Sequence, residues 1–191
     1  MQSIQSRRAN VQAGFSMIEM MIVMAIIMII SAMALPNILN SVQIMRMRSS
    51  LTEITGLYQQ TRRQAVRDTK IYPVLTTTIN GRLTFYADIS NSGSYQTGEP
   101  AVVMPQGVSI IATPGTTTGI DTTNVTGTLP GFNNRGLPCT YVSQYLCNFV
   151  SAGNPSKFVV YLQTTNGGIM AVSVSPAGNV KGYIWNGATF Q

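Results

Sequence analysis

One carboxylate stands out by where it lies. Glu19 sits inside a run of apolar residues, 15–35, whose other polar side chains are only Ser16 and Ser31. A carboxylate within hydrocarbon costs roughly 2.5–3.5 kcal/mol, so it calls for a cationic partner or a route to the interface. Cys139 and Cys147 form the second candidate group. They are the chain's only two cysteines, are separated by seven residues in a turn-rich region, and follow an export-type segment. A disulfide is the natural reading. Closing so short a loop contributes roughly 2–3 kcal/mol on the chain-entropy model. Catalytic chemistry finds little to use. The chain has no His and no third Cys, too few ligands for a zinc site, and Glu53, Asp68, Asp88, Glu99 and Asp121 are scattered. No phosphate loop, nucleophile elbow or metal-ligand cluster is present. The sequence does not read as an enzyme, and neither cofactor nor metal is expected.

The elements that position these residues follow from hydropathy. As a helix, residues 15–35 span about 31 Å, close to the hydrocarbon thickness of a bilayer. Residues 1–13 before it are short and carry Arg7 and Arg8. By the positive-inside rule this end stays cytoplasmic and the bulk of the chain crosses the membrane. Gly14 stands immediately before the run and Pro36 immediately after it. Beyond Pro36, Ile38, Leu39, Val42, Met45, Leu51, Ile54, Tyr58, Thr61 and Ala65 recur mostly three or four apart. That is a helical spacing with one dry face that needs a cover. One helix is therefore expected from Phe15 to about Arg67, bent or loosened at Pro36.

The remainder reads as strand. Asn80-Gly81 between the β-branched runs 74–79 and 82–89 signals a hairpin. A strand over 101–113, interrupted at 105–107, precedes a long surface loop at 114–131. Residues 158–163, 169–175 and 180–185 are strand-forming runs separated by turn residues. Met170, Val172 and Val174 alternate with Ala171, Ser173 and Ser175, one dry face and one wet. The expected fold is α+β, one long helix packed across an antiparallel sheet. Its parts are a leader at 1–14, a transmembrane helix at 15–35, an amphipathic helix at 36–70 and a β-rich periplasmic domain at 71–191.

Charged residues make up only 9% of the chain, which fits an extracytoplasmic protein better than a cytosolic one. The net charge is +6, of which Arg7 and Arg8 supply two. Six further cations lie between residues 46 and 70. A solvated helix face explains them more simply than a nucleic-acid surface does.

Gly14-Phe15-Ser16-Met17-Ile18-Glu19, followed by the apolar run and Pro36, resembles the processing motif of type IV prepilins and type II secretion pseudopilins. The rest is similar to the GspH/FimT group of minor pilins, whose fold is the pilin fold. The similar stretches are Tyr58-Gln-Gln-Thr-Arg-Arg-Gln-Ala-Val-Arg-Asp-Thr-Lys70, Phe132-Asn-Asn-Arg-Gly-Leu-Pro138 and Ser175-Pro-Ala-Gly-Asn-Val-Lys181. The resemblance implies cleavage between Gly14 and Phe15 by a prepilin peptidase that also methylates the new Phe15 amine. It implies that Glu19 pairs with the N-terminal amine of a neighbouring subunit, and that the helix softens at Pro36 during packing. The competing reading of Glu19 is a side chain that snorkels to the interface. The implied partners are the peptidase, other major and minor pilins or pseudopilins, and the bacterial inner membrane. The implied role is to initiate or cap a type IV pilus. The alternatives are the tip of a type II secretion pseudopilus and a DNA-binding minor pilin in natural transformation. For DNA the candidates are Arg135, Lys181, Tyr183 and Trp185, cations with aromatic rings suited to phosphate and stacking contacts. The group's two arginines stand here as Asn179 and Lys181, so few phosphate contacts remain. A sheet face packing on neighbouring pilins accounts for the same residues.

Overall fold

The computed structural model describes residues 15–115, 117–121, 125–126, 129–143, 145–148 and 157–191; side chains at 34–40, 43 and 125–126 are not described. The chain divides after Val42 into two compact units.

In the first unit the helix α1 (Met17–Asp68) begins directly after Ser16. The Ser16 carbonyl accepts from the Glu19 and Met20 amides at 3.1 and 3.2 Å. All side chains at 15–33 are exposed, including Met17 at 88% and Phe15 at 79%. The helical backbone continues through Pro36. Among the described residues no helix is long and apolar enough to cross a membrane. The apolar helical stretch with described side chains stops at residue 33.

The second unit runs from Gln43 and contains the rest of α1. Here the helix buries one stripe: Met47, Leu51, Ile54, Tyr58, Thr61 and Ala65. Met45, expected on that stripe, is 69% exposed, and Met47 takes the place two residues on. Asp68 ends the helix. Thr69 adopts φ +53°, and the Lys70 amide donates back to the Ala65 carbonyl at 3.1 Å, a left-handed cap. The Asp68 carboxylate accepts from Gln64 at 2.8 Å and from the Tyr72 hydroxyl at 3.1 Å, tying the helix end to the first strand.

The fold class is α+β as expected, but the strands fall into two sheets rather than one. The first holds β1 (Tyr72–Ile79), β2 (Arg82–Ala87), β3 (Ala101–Val103), β6 (Gly131–Phe132), β7 (Pro138–Ser143) and β8 (Leu146–Asn148), in the order β3-β2-β1-β6-β7-β8. The second holds β4 (Val108–Ile111), β9 (Lys157–Thr164), β10 (Ile169–Val174) and β11 (Val180–Ile184), in the order β11-β10-β9-β4. A short β5 (Val125–Thr126) joins β9 in parallel; the other pairings are antiparallel. The Asn80-Gly81 hairpin pairs Ile79 with Arg82 and Val74 with Ala87. The interruption at Pro105 is where the chain leaves the first sheet for the second, because β3 and β4 belong to different sheets.

Both sheets close on the helix. Phe85, Phe132, Leu162 and Met170 share one core with Ile54 and Tyr58. Tyr58 meets Phe132 edge to face, ring centres 6.4 Å apart. The outer face of the second sheet is not the wet face that alternation suggested. Val159, Tyr161 and Ala171 are buried there beneath Ile120 and Phe190. Residues 117–121, read from sequence as open loop, are pinned to the C-terminal segment. The Phe190 amide donates to the Thr118 carbonyl at 2.8 Å, and Gly119 lies against the Phe190 backbone.

Candidate functional site

The residues singled out from sequence fall in three places. Phe15 and Glu19 open α1, and Pro36 lies further along it. Gly14 lies outside the described residues. Glu19 is exposed on the first helical turn and has no side-chain partner among the described residues. It is the one charge on an otherwise apolar stretch whose every side chain is uncovered. Contiguous apolar surface of this extent marks a membrane or protein contact.

Cys139 and Cys147 form the second place. A disulfide joins them across the β7–β8 hairpin, with Cα atoms 5.6 Å apart. Cys139 is buried against β6, whereas Val142, Tyr145 and Leu146 near the hairpin tip are exposed. A cleft of about 490 Å³ beside it is lined by Lys70, Asn91, Asn133, Asn134, Tyr145 and Cys147, among others.

The third place is β11 with the β6–β7 turn. Lys181 and Arg135 are exposed. Tyr183 and Trp185 are half-buried and pack on the outer cluster, where the Trp185 ring lies 5.1 Å from Phe190. Gly182, on the opposite face, meets Leu51 of the helix.

Sequence reasoning missed the side chain that organises the head. Arg62 was read with its neighbours as part of a solvated basic face. It instead donates from Nε to the Gly136 carbonyl at 2.9 Å, from Nη1 to the Gly178 carbonyl at 3.1 Å, and from Nη2 to the Ala177 carbonyl at 3.3 Å. Its planar fork suits such convergent acceptors. Gly136 has φ +73°, and a Cβ there would lie 3.1 Å from Arg62 Nε; one at Gly178 would lie 3.0 Å from the guanidinium carbon. Asn133 holds the first turn by accepting from the Arg135 and Leu137 amides, both at 2.9 Å. The only advance signal was the glycine in each turn.

No group of three or more His, Cys, Asp or Glu side chains is gathered among the described residues. A family profile described as the prokaryotic N-terminal methylation motif matches residues 9–35. This span holds Gly14, Phe15 and Glu19 and stops one residue short of Pro36. The N-terminal segment thus carries the processing motif of type IV prepilin-like proteins. No curated protein and no solved structure compared with the chain matches it. This motif implies processing by a prepilin peptidase, membrane anchorage and assembly with other pilins in general. It marks a pilin-type structural protein.

Proposed function

We infer that this chain is a minor pilin of the GspH/FimT type, built into the initiating tip of a type IV pilus. Residues 15–35 anchor it in the inner membrane with the β-rich domain in the periplasm. Cleavage falls between Gly14 and Phe15, and the Phe15 amine is methylated. The observation that carries this reading is Glu19, a lone exposed carboxylate on the first turn of an uncovered apolar helix, inside the matched motif. A plain anchor has no use for that charge. A subunit that must find its neighbour's N-terminal amine has one, because an ion pair is strong where water is excluded. Glu19→Ala should leave membrane insertion and cleavage intact and abolish surface fibres in a strain that depends on this chain. Normal fibres with Glu19→Ala would remove the pairing role. Gly14→Val should accumulate uncleaved precursor on a gel.

The tip of a type II secretion pseudopilus uses the same N-terminal chemistry. Deleting the gene separates the two readings, since one loses surface fibres and the other exoprotein release. A DNA-binding minor pilin is the reading from another class. Exposed Lys181 and Arg135 supply phosphate contacts, but the rings of Tyr183 and Trp185 are engaged against the outer cluster. Binding through so few cations would be weak and salt-sensitive, and a gel shift that vanishes at physiological salt would exclude it.

A further inference from the structure

The cleft beside the disulfide hairpin has no part in the assembly role. Four segments meet around it: Lys70 just past the end of α1, Asn91 in the loop between β2 and β3, Asn133 and Asn134 in the turn between β6 and β7, and Tyr145 and Leu146 at the β7–β8 hairpin. Its volume, about 490 Å³, is in the range of small-molecule sites. Its walls are fixed by the fold itself. The Tyr141 hydroxyl on β7 donates to Asn91 at 3.1 Å, and the disulfide ties β7 to β8. The Tyr72 hydroxyl on β1 donates to Asp68 at the end of α1, also at 3.1 Å.

One lining side chain is built in and left unfinished. Asn133 is only 7% exposed. Its Oδ1 accepts from the Arg135 and Leu137 amides, both at 2.9 Å. Those two donors identify the oxygen, so the other end of the side chain is its NH2 group. That group has no hydrogen-bond partner among the described residues. Nor is it among the side-chain atoms sealed from solvent, so it opens to the cleft that Asn133 lines. Two N–H donors on a side chain more than nine-tenths buried thus face the cleft unpartnered. A buried polar group without a partner is a cost that folds ordinarily avoid.

The rest of the lining continues the pattern. Asn91 spends its oxygen on the Tyr141 hydroxyl, which leaves its NH2 group. Lys70 is exposed, brings three more N–H donors, and is the one charged side chain among the described lining residues. Donors outnumber acceptors, so the occupant must supply oxygen. A peptide would bring N–H groups of its own and find few acceptors for them. A phosphate chain would bring more charge than one ammonium matches, beside the negative pole at the end of α1. A sugar acid fits. Its ring, glycosidic and carboxylate oxygens accept, its hydroxyls can turn their protons to water, and its C–H face can lie on an apolar wall. Tyr145, 85% exposed, and Leu146, 50% exposed, supply that wall.

We propose that this cleft binds a saccharide carrying a uronic acid. Asn133 and Asn91 donate to sugar oxygens, Lys70 meets the carboxylate, and the Tyr145 ring lies against the sugar face. An exposed ammonium beside a carboxylate confers preference more than affinity. One seated ring of about a dozen non-hydrogen atoms, at the efficiency of ordinary ligands, corresponds to Kd about 1–3 mM. The site belongs to the head alone and stands whether or not the helix enters a pilus.

The test is saturation-transfer NMR on the full chain in detergent. The probes are trisaccharides of galacturonic, glucuronic and mannuronic acid, with maltotriose as the neutral control. At least one acid should receive saturation on its ring protons and bind about two- to fivefold more tightly than maltotriose. Lys70→Met should erase that preference. Asn133→Asp keeps an oxygen for the two turn amides and replaces the NH2 group with an acceptor, so affinity should fall at least about tenfold. Tyr145→Ala, at an exposed hairpin tip, should lose about three- to tenfold. Lys181→Met, outside the cleft, should bind as the parent does. Should Asn133→Asp fail to fold, Tyr145→Ala and Lys70→Met decide the matter. No transfer to any of the three acids up to about 10 mM would overturn the site. So would parent-like binding by both Asn133→Asp and Tyr145→Ala, or maltotriose binding as tightly as the acids. Displacement of the sugar acid by equimolar inorganic phosphate or triglutamate would overturn it too, by making the cleft a general anion or peptide site.

Discussion

Replacing Arg62 with alanine should unfasten the head from the helix. Two of its hydrogen bonds, to Gly136 and Gly178, are partly shielded, and the third, to Ala177, is exposed and counts for little. A charged donor on a carbonyl contributes about 1.5–3 kcal/mol, so the two shielded bonds are worth about 3–6 kcal/mol gross. Arg62 is itself only half-buried, so water regains about half of that for the abandoned carbonyls, leaving about 1.5–3 kcal/mol. For a unit of this size the melting temperature should fall by about 3–12 °C, read by circular dichroism on the full chain in detergent. Arg62→Lys should recover less than half of the loss, because an ammonium cannot serve two separate turns with one planar fork. Gly136→Ala should cost about 1–2 kcal/mol on its own through its left-handed backbone. It should cost less in the Arg62→Ala background, where the side chain it would strike is gone. Arg63→Ala, an exposed neighbour, should stay within about 0.5 kcal/mol of the parent. If Arg62→Ala melts with the parent, or no lower than Arg63→Ala, the clamp has no energetic weight.

Three further outcomes are expected. Cys139→Ser with Cys147→Ser should destabilise by about 2–3 kcal/mol on the chain-entropy model, measured by urea titration against the oxidised parent. Glu99 is held below its ordinary value of 4.5: partial burial raises it, but hydrogen bonds from the Gln96 and Ser90 backbone and the Ser90 hydroxyl outweigh that. Asp68 is held below 3.8 chiefly by its hydrogen bond from Arg67, against some desolvation. Both contribute stability that is present above the unfolded values and lost as pH falls through the folded ones. Stability should therefore be flat above about pH 5 and decline below about 4.5, with a shallower decline in Glu99→Gln; an unchanged slope would refute this. Tyr58 is wholly buried, its hydroxyl has no hydrogen-bond partner among the described residues, and burial pushes the phenol upward. Tyr58→Phe should thus melt at or above the parent temperature, and a loss above about 1 kcal/mol would show that the hydroxyl is satisfied after all.

What the sequence disclosed depended on range. The Asn80-Gly81 hairpin is a contact between near neighbours, and the core stripe of α1 is a three-to-four spacing, so both were legible. The second sheet's outer cluster was not. It depends on Ile120 and Phe190 reaching Val159 and Tyr161 from distant stretches, which two-residue alternation does not encode. The division into two sheets was hidden for a related reason. Pro105 marks an interruption, but only pairing partners reveal that β3 and β4 continue in different sheets.

Glu19 and Arg62 show why the two ends of this molecule differ in legibility. Glu19 violates a local rule, a charge in an apolar run, and its meaning needs no distant residue. Arg62 violates nothing on an exposed basic helix face; its partners lie 74 and 116 residues away and are backbone carbonyls, which leave no mark in residue type. Yet the stretches at 58–70, 132–138 and 175–181, which the sequence reading likened to GspH/FimT proteins, are the ones that meet at this arginine. Their shared feature here is how a helix is fastened to two turns. The similarity of those segments therefore speaks to architecture, through hydrogen bonds that any pilin head of this build could use. The choice of machine must then rest on surfaces the clamp leaves outside: the disulfide-closed hairpin with exposed Val142, Tyr145 and Leu146, and the loop at 88–99. Exchanging those two surfaces while keeping Arg62 should change which assembly the subunit enters without changing how its head folds.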